Sequence, residues 1–231
     1  MNLAQMLRNF AAAADSTPDA TGYLILLVKM NGYEVVWRRL RFPAQFSLRE
    51  LHLTMQAVTL FGNYHLYQFV GRNRNIYSGK APGGVNFGGF GFDRGSSHSA
   101  AKTPAGSVLR KKGDKLRYEY DFGDCWTFTI NVEKLAPIPD GETPHVTCLG
   151  GEKAGPVEDC GGIPGYMNLL KVLDKSDPDD QDMELLNWLG DGYDPDRFDM
   201  EKANRALARI KAPRPAKPRK KAARTEAGGE T

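Results

Sequence analysis

The chain has 231 residues, of which 41% are hydrophobic and 26% are charged, a composition typical of globular proteins. No apolar run approaches the roughly 20 residues that a transmembrane helix needs, and the N-terminal residues lack the cationic start of a secretory signal. Three cysteines without a Cys-x-x-Cys pair predict reduced thiols in a cytoplasmic protein rather than a disulfide framework.

The positive charge is concentrated at one end of the chain. The net charge is +3, but residues 211–231 carry seven Lys/Arg and two Glu, so this segment has +5 and the remainder −2. Because residues 211–231 include few apolar side chains, we predict that this segment is a disordered basic tail. It could contact nucleic acid through counterion release or act only as a solubilising end. The candidate contacts are Lys217, Arg219, Lys220 and Lys221.

The remaining pattern predicts an α+β fold with a mainly antiparallel sheet built from β-hairpins. We expect a loosely attached leader over 1–20, one domain over 21–210, a helix after the first hairpin and a helical cluster near the C-terminus. Gly, Ser and Pro dominate residues 79–106, which predicts a flexible insertion. The expected strands are Tyr23–Met30, Tyr33–Phe42, Tyr64–Val70, Arg74–Tyr77 and His145–Leu149, and the expected helices run from a Ser47 cap to about Leu60 and over Gly165–Leu173, Asp180–Leu189 and Met200–Ile210.

The segment from Tyr118 to Glu133 predicts the central hairpin. Aromatic and apolar residues alternate with polar ones on both sides of the turn Asp121–Asp124, which is the period of half-buried strands. The Asp-Phe-Gly-Asp turn carries a carboxylate at each end. Both carboxylates should therefore lie at one corner of the sheet.

Two interpretations of this acidic corner are open. Asp121 and Asp124 could meet Glu158 and Asp159 from a second turn and bind Mg²⁺ or Mn²⁺, the arrangement needed for metal-assisted phosphodiester chemistry. Alternatively, these acids satisfy buried cations and backbone donors. Paired acids near turns are common, so we favour the second interpretation.

Specific side chains could serve the second interpretation. Arg38 and Arg39 follow Trp37 in a predicted strand, and one of them should point inward to form a bidentate pair with a carboxylate at the hairpin turn. His65 and Trp126 are further candidate binding residues, although each is more often a packing residue. Cys148, Cys160 and His145 match no standard zinc spacing.

Several sequence blocks together resemble the plasmid pRiA4b ORF-3-like family. The resemblance implies a relation to plasmid- and transposon-associated passenger proteins, without a mechanism. Val157 stands where the family has a second proline, and Gly155 where it usually has a cysteine, so any metal-binding cysteine cluster of the family would be incomplete here. The blocks include Val36–Arg39 (VWRR), Tyr120–Trp126 (YDFGDCW), Pro156–Gly162 (PVEDCGG) and Tyr193–Asp199 (YDPDRFD).

Two classes of function follow from these patterns. We expect a non-catalytic binding or adaptor protein associated with plasmids or transposable elements, with a nucleic acid or a protein as partner and no cofactor. The alternative is a divalent-metal-dependent enzyme acting on nucleic acid at the acidic corner. The first is preferred because no complete catalytic constellation can be assembled from the motifs.

Overall fold

A computed structural model describes residues 22–79 and 96–212. Within these ranges, eight strands form one sheet, in which every neighbouring pair is antiparallel except β4 and β5. The strands, in chain order, are β1 (Tyr23–Met30), β2 (Trp37–Pro43), β3 (Tyr67–Val70), β4 (Ile76–Ser78), β5 (Ser97–Ser99), β6 (Lys115–Tyr120), β7 (Trp126–Ala136) and β8 (Thr147–Glu152). Across the sheet their order is β5-β4-β3-β6-β7-β1-β2-β8.

Helices follow the first hairpin and gather near the C-terminus, which confirms the predicted α+β class. No helix among the described residues is long and apolar enough to cross a membrane. The α-helices of the described residues are α1 (Leu48–Thr59), α2 (Ala105–Val108), α3 (Gly162–Leu173), α4 (Asp180–Leu189) and α5 (Met200–Leu207), with short 3-10 turns at Arg72–Arg74 and Ala100–Lys102.

Helix α1 begins where the sequence predicts. The Ser47 hydroxyl accepts the Arg49 N–H, while the Glu50 carboxylate accepts the Ser47 N–H, a capping box that satisfies donors at the start of the helix. Leu51 and Met55 lie on its fully buried face. The helix ends at Leu60, which has the left-handed backbone of a C-cap.

The predicted alternation along the central hairpin is confirmed. Tyr118 and Tyr120 on β6, and Trp126, Phe128 and Ile130 on β7, are all buried, and the intervening residues are half-buried or exposed. Burying one face of the hairpin against α1 fixes its register, because a slip by one residue would expose the whole apolar set. The hairpin thereby holds its Asp121–Asp124 turn at one end of the sheet.

Several predicted segments have other bounds in the structure: β3, β4 and β8 begin two or three residues later than predicted, α3 begins at Gly162 rather than Gly165, and α5 ends at Leu207 rather than Ile210. Strand β2 begins at Trp37 rather than Tyr33, because a turn in which the Val36 N–H bonds to the Tyr33 carbonyl precedes it. Residues 96–106 of the predicted flexible insertion form β5, a 3-10 turn and the start of α2, with Ala100 and Ala105 buried. Residues 80–95, the leader over 1–20 and residues 213–231 of the basic tail lie outside the described residues.

Candidate functional site

Three chain segments meet at the corner formed by the central hairpin. His65 lies just before β3, Asp121 follows β6, and Asp159 lies in the loop between β8 and α3. His65 Nε2 is 3.2 Å from Asp159 Oδ1 and 3.6 Å from Asp121 Oδ2, and one possible ligand atom from each of the three residues lies within 4.8 Å of the others. We call this trio the corner site. It is the one such group among the described residues.

Two hydrogen bonds with neighbouring backbone groups fix the conformation of Asp121. Its N–H donates to the Leu66 carbonyl at 2.9 Å, and its Oδ1 accepts the Gly123 N–H at 2.9 Å. The residue has φ 55°, a left-handed conformation that Asp tolerates better than most residues. This leaves Oδ2 directed toward His65.

Glu158 anchors the second turn rather than joining the corner site. Its carboxylate accepts the Tyr120 hydroxyl at 2.7 Å and the Gly62 N–H at 2.5 Å. Burial, and then the bond to Glu158, raise the pKa of Tyr120, so its hydroxyl remains a donor at neutral pH. Tyr120 thus ties the hairpin to the segment that carries Asp159.

A glycine allows the two turns to approach closely. Gly162 has φ +65°, and a Cβ built on it would lie 2.3 Å from the Asp124 carbonyl oxygen. No other residue fits this contact without displacing backbone. Nearby, burial and then the charge of Asp124 raise the pKa of the Cys160 thiol to about 11, which keeps it protonated and a poor nucleophile.

The corner site has the dimensions of a divalent-cation site. Metal–ligand bonds of about 2.1 Å place neighbouring ligand atoms roughly 3.0–3.4 Å apart in octahedral or tetrahedral geometry, close to the two separations measured from His65 Nε2. This nitrogen is buried and, apart from its ion-pair contacts with the two carboxylates, has no hydrogen-bond partner, and buried polar atoms are rarely left so. The trio could therefore hold one ion, with Asp159, whose side chain is 68% exposed, on the solvent side.

The predicted pairing of the acidic corner with arginines is wrong for both residues. Arg38, only 2% exposed, donates to three backbone carbonyls, at 2.7–2.9 Å, and its guanidinium carbon lies 3.7 Å from the centroid of the Phe198 ring. Burial lowers the pKa of Arg38 to about 10, still cationic at neutral pH. The three carbonyls belong to Trp37, Val58 and Glu152.

Arg39 points to the opposite face of the sheet. Its Nε donates to Glu133 at 2.7 Å and its Nη2 at 3.0 Å, across the intervening strand β1. This bidentate bond lowers the pKa of Glu133. The expected arginine–carboxylate fork therefore exists, but its carboxylate is on β7 and not at the turn.

The remaining candidate residues lie outside the corner site. Trp126 is fully buried, with its ring edge against Tyr166, as expected of a core anchor. Asp124 Oδ2 is buried without a hydrogen-bond partner, yet Asp124 does not belong to the corner site. The thiols of Cys148 and Cys160 donate to backbone carbonyls, and with His145 they form no ligand cluster.

A family model described as "Plasmid pRiA4b ORF-3-like protein" matches residues 23–202. The chain belongs to the plasmid pRiA4b ORF-3-like family. A relative, "Uncharacterized protein y4hQ" of Sinorhizobium fredii (strain NBRC 101917 / NGR234), is 30% identical over 194 residues, which are 81% of this chain and 91% of that protein. A crystal structure titled "Protein of Unknown Function MM3350 from Methanosarcina mazei Go1" is also similar, with a TM-score of 0.64 and 29% identity over 80% of this chain and 98% of that chain.

The pRiA4b ORF-3-like match spans the whole corner site, whereas the basic tail lies entirely beyond it. Sequence reasoning identified Asp121 and Asp159 but grouped them with Asp124 and Glu158, and it left His65 outside the ligand set. One feature of the sequence could have indicated His65 as a ligand. It lies just before the segment that forms β3, and β3 pairs with β6 of the central hairpin. Large exposed apolar side chains also neighbour corner-site residues in the chain: Tyr64 and Leu66 on either side of His65, and Phe122 after Asp121.

Proposed function

We propose that this pRiA4b ORF-3-like protein is a non-catalytic binding protein that holds a divalent cation at the corner site. The observation that carries the proposal is the convergence of a buried imidazole nitrogen and two carboxylates from three separate chain segments. A cation would coordinate the imidazole nitrogen, which lacks a hydrogen bond, and both carboxylates at once. It would also cross-link three chain segments that the Asp121–Leu66 and Tyr120–Glu158 hydrogen bonds already hold close together, so metal binding would stabilise the fold further.

The donor set favours a particular class of ion. Carboxylate oxygens suit Mg²⁺ and Mn²⁺, whereas imidazole nitrogen suits Zn²⁺ and other transition metals. A mixed site with His65, Asp121 and Asp159 therefore favours Mn²⁺ or Zn²⁺ over Mg²⁺. The imidazole in the ligand set thus changes the expected ion from the Mg²⁺ or Mn²⁺ of the acidic interpretation.

Calorimetric titration of the full chain with Mn²⁺, Zn²⁺ and Mg²⁺ tests this proposal. We expect saturable 1:1 binding of Mn²⁺ or Zn²⁺, weaker binding of Mg²⁺, and stabilisation by about 2.7 kcal/mol when the free ion is at a hundredfold excess over Kd. Asp159→Asn should weaken binding by at least about 10-fold, since it removes one charged ligand. Its exposed side chain makes misfolding a minor risk.

Asp140→Asn is the matched control, because Asp140 is also an exposed loop aspartate and lies outside the corner site. It should bind the ion as the unmodified chain does. Equal binding by Asp159→Asn and the unmodified chain, or no saturable binding of any of the three ions, would refute the proposal.

A second candidate is a metal-dependent enzyme acting on nucleic acid. The exposure of Asp159 favours it, because an ion held from one side would keep coordination positions for water or a phosphate oxygen. Incubation of labelled DNA and RNA with the protein and Mn²⁺ tests this candidate. Cleavage that Asp159→Asn abolishes would support the enzyme, and intact strands with metal-loaded protein would support the binding protein.

The location and partners belong to the same proposal. Three cysteines without disulfides support a cytoplasmic location, and the family description supports an association with plasmids or transposable elements. The exposed apolar side chains beside the corner site, including Tyr64 at 82% exposure, support a protein partner in an adaptor role. The basic tail supports contact with nucleic acid.

A further inference from the structure

A second cationic region lies within the folded domain, on the face of the sheet opposite α1. Lys115 and Arg117 alternate with the buried Leu116 and Tyr118 along β6, so both cations point outward. With Arg72 they line a groove of about 470 Å³. We call this concavity the basic groove.

The loop leading into the basic groove adds charge of the same sign. Residues 110–117 contain five Lys/Arg and one Asp, a net of +4, and Arg110, Lys111 and Lys112 are exposed. The single acid, Asp114, accepts the backbone N–H groups of Arg110 and Lys111. Its carboxylate therefore closes the loop. The chain outside the tail carries a net negative charge, so this positive region is a local feature of the domain.

Few acids neutralise the basic groove. Arg117 pairs with Glu119 at 2.6 Å, which fixes its position along the outer face. Among the described residues, neither Arg72 nor Lys115 forms an ion pair with an acid. Outward-facing side chains two residues apart on a strand are separated by about 6.6 Å. This spacing suits an extended ligand with regularly repeated negative charges.

From this geometry we infer that the basic groove binds the phosphate backbone of a nucleic acid, independently of the corner site and of the tail. A protein partner fits less well, since its interface needs apolar or aromatic anchors. The apolar residues that line the groove, Val70, Val108 and Leu116, are half-buried or buried, and none of the large exposed apolar side chains of the described residues lines it. The groove offers no exposed aromatic platform either, so backbone contact without base recognition is expected.

The test is fluorescence anisotropy with labelled single-stranded DNA over a series of salt concentrations. Replacing Arg72, Lys111 and Lys115 with Ala in the full chain should reduce affinity by at least about 10-fold and lower the salt slope by about 2, at roughly 0.7 per phosphate contact. The matched control replaces the exposed Lys134, Lys171 and Arg209 with Ala. It removes the same charge and should change both quantities much less.

Three further measurements separate the groove from other causes. Lys115→Glu, a single exposed substitution, should reproduce the loss if the triple variant is unstable. A variant with Lys217, Arg219, Lys220 and Lys221 changed to Ala should still lose affinity when the groove substitutions are added. Polyglutamate should compete far less effectively than unlabelled DNA. Equal losses in the groove and control variants, binding that depends on the tail alone, or equal competition by polyglutamate would overturn the inference.

Discussion

The guanidinium of Arg38 stacks on the ring of Phe198, with 3.7 Å between the guanidinium carbon and the ring centroid. The stack joins β2 to the segment just before α5. Three backbone carbonyls accept hydrogen bonds from the same guanidinium, and Gly151 lies against both side chains, where a Cβ would be 2.8 Å from each. Arg38 therefore connects the sheet to the segment that leads into the C-terminal helix α5.

Arg38→Met should destabilise the fold by about 2–4 kcal/mol, because three carbonyls would lose their charged donor while remaining buried. Arg39→Met is the adjacent control. Its bidentate pair with Glu133 is partly exposed, so its loss should cost about 0–1 kcal/mol. Urea unfolding of both variants measures the difference. Equal losses of unfolding free energy for the two variants would show that the buried contacts of Arg38 do not stabilise the fold more than the Arg39 pair does.

Burial of His52 makes stability depend on pH. Desolvation lowers the pKa of His52 to about 4, although a hydrogen bond to Asn63 opposes the shift. In the unfolded chain the pKa is near 6.5, so between these values the unfolded state binds more protons, and stability falls as pH falls. The contribution should decrease by about 2 kcal/mol between pH 7.5 and pH 5.

Urea unfolding at both pH values measures this effect. His52→Gln should remove most of the His52 contribution, whereas His98→Gln, at an exposed histidine, should keep it. A variant at His52 that retains the full pH dependence would contradict a buried, neutral imidazole.

Tyr120→Phe tests the link between the hairpin and the Asp159 turn. Losing the hydroxyl removes the bonds to Glu158 and to the Tyr64 N–H, at a cost of about 1–3 kcal/mol. It should also weaken metal binding by about 10-fold, since support outside the ligand set positions the ligands. Tyr118→Phe is the control, because its buried hydroxyl bonds to His52 and Gln56 instead. It should lower stability but leave the metal affinity unchanged.

Gly162→Ala tests the close approach of the two turns. The new methyl group would lie 2.3 Å from the Asp124 carbonyl oxygen, at φ +65°, so we expect a large loss of thermal stability and of metal binding. Gly141→Ala has a similar φ, +78°, but nothing within 4 Å. It should therefore cost only the left-handed strain, about 1 kcal/mol. Similar melting temperatures for the two variants would contradict the proposed contact.

The sequence predicts those features that depend on neighbours along the chain. Period-two alternation indicates the hairpin strands, and the Ser47–Glu50 spacing indicates the start of α1. It could not reveal that three carbonyls from separate segments surround Arg38. Every residue has a backbone carbonyl, so the sequence does not show which of them accept hydrogen bonds from this side chain. For the same reason, the Tyr120 bond that occupies Glu158 was not predictable from the acidic pattern.

The most direct test of the corner site is an anomalous difference map from crystals soaked in Mn²⁺. The account predicts one strong peak about 2.0–2.3 Å from His65 Nε2 and from carboxylate oxygens of Asp121 and Asp159. Soaked crystals with no peak at that position, and with His65 Nε2 hydrogen-bonded directly to a carboxylate or a water, would contradict it.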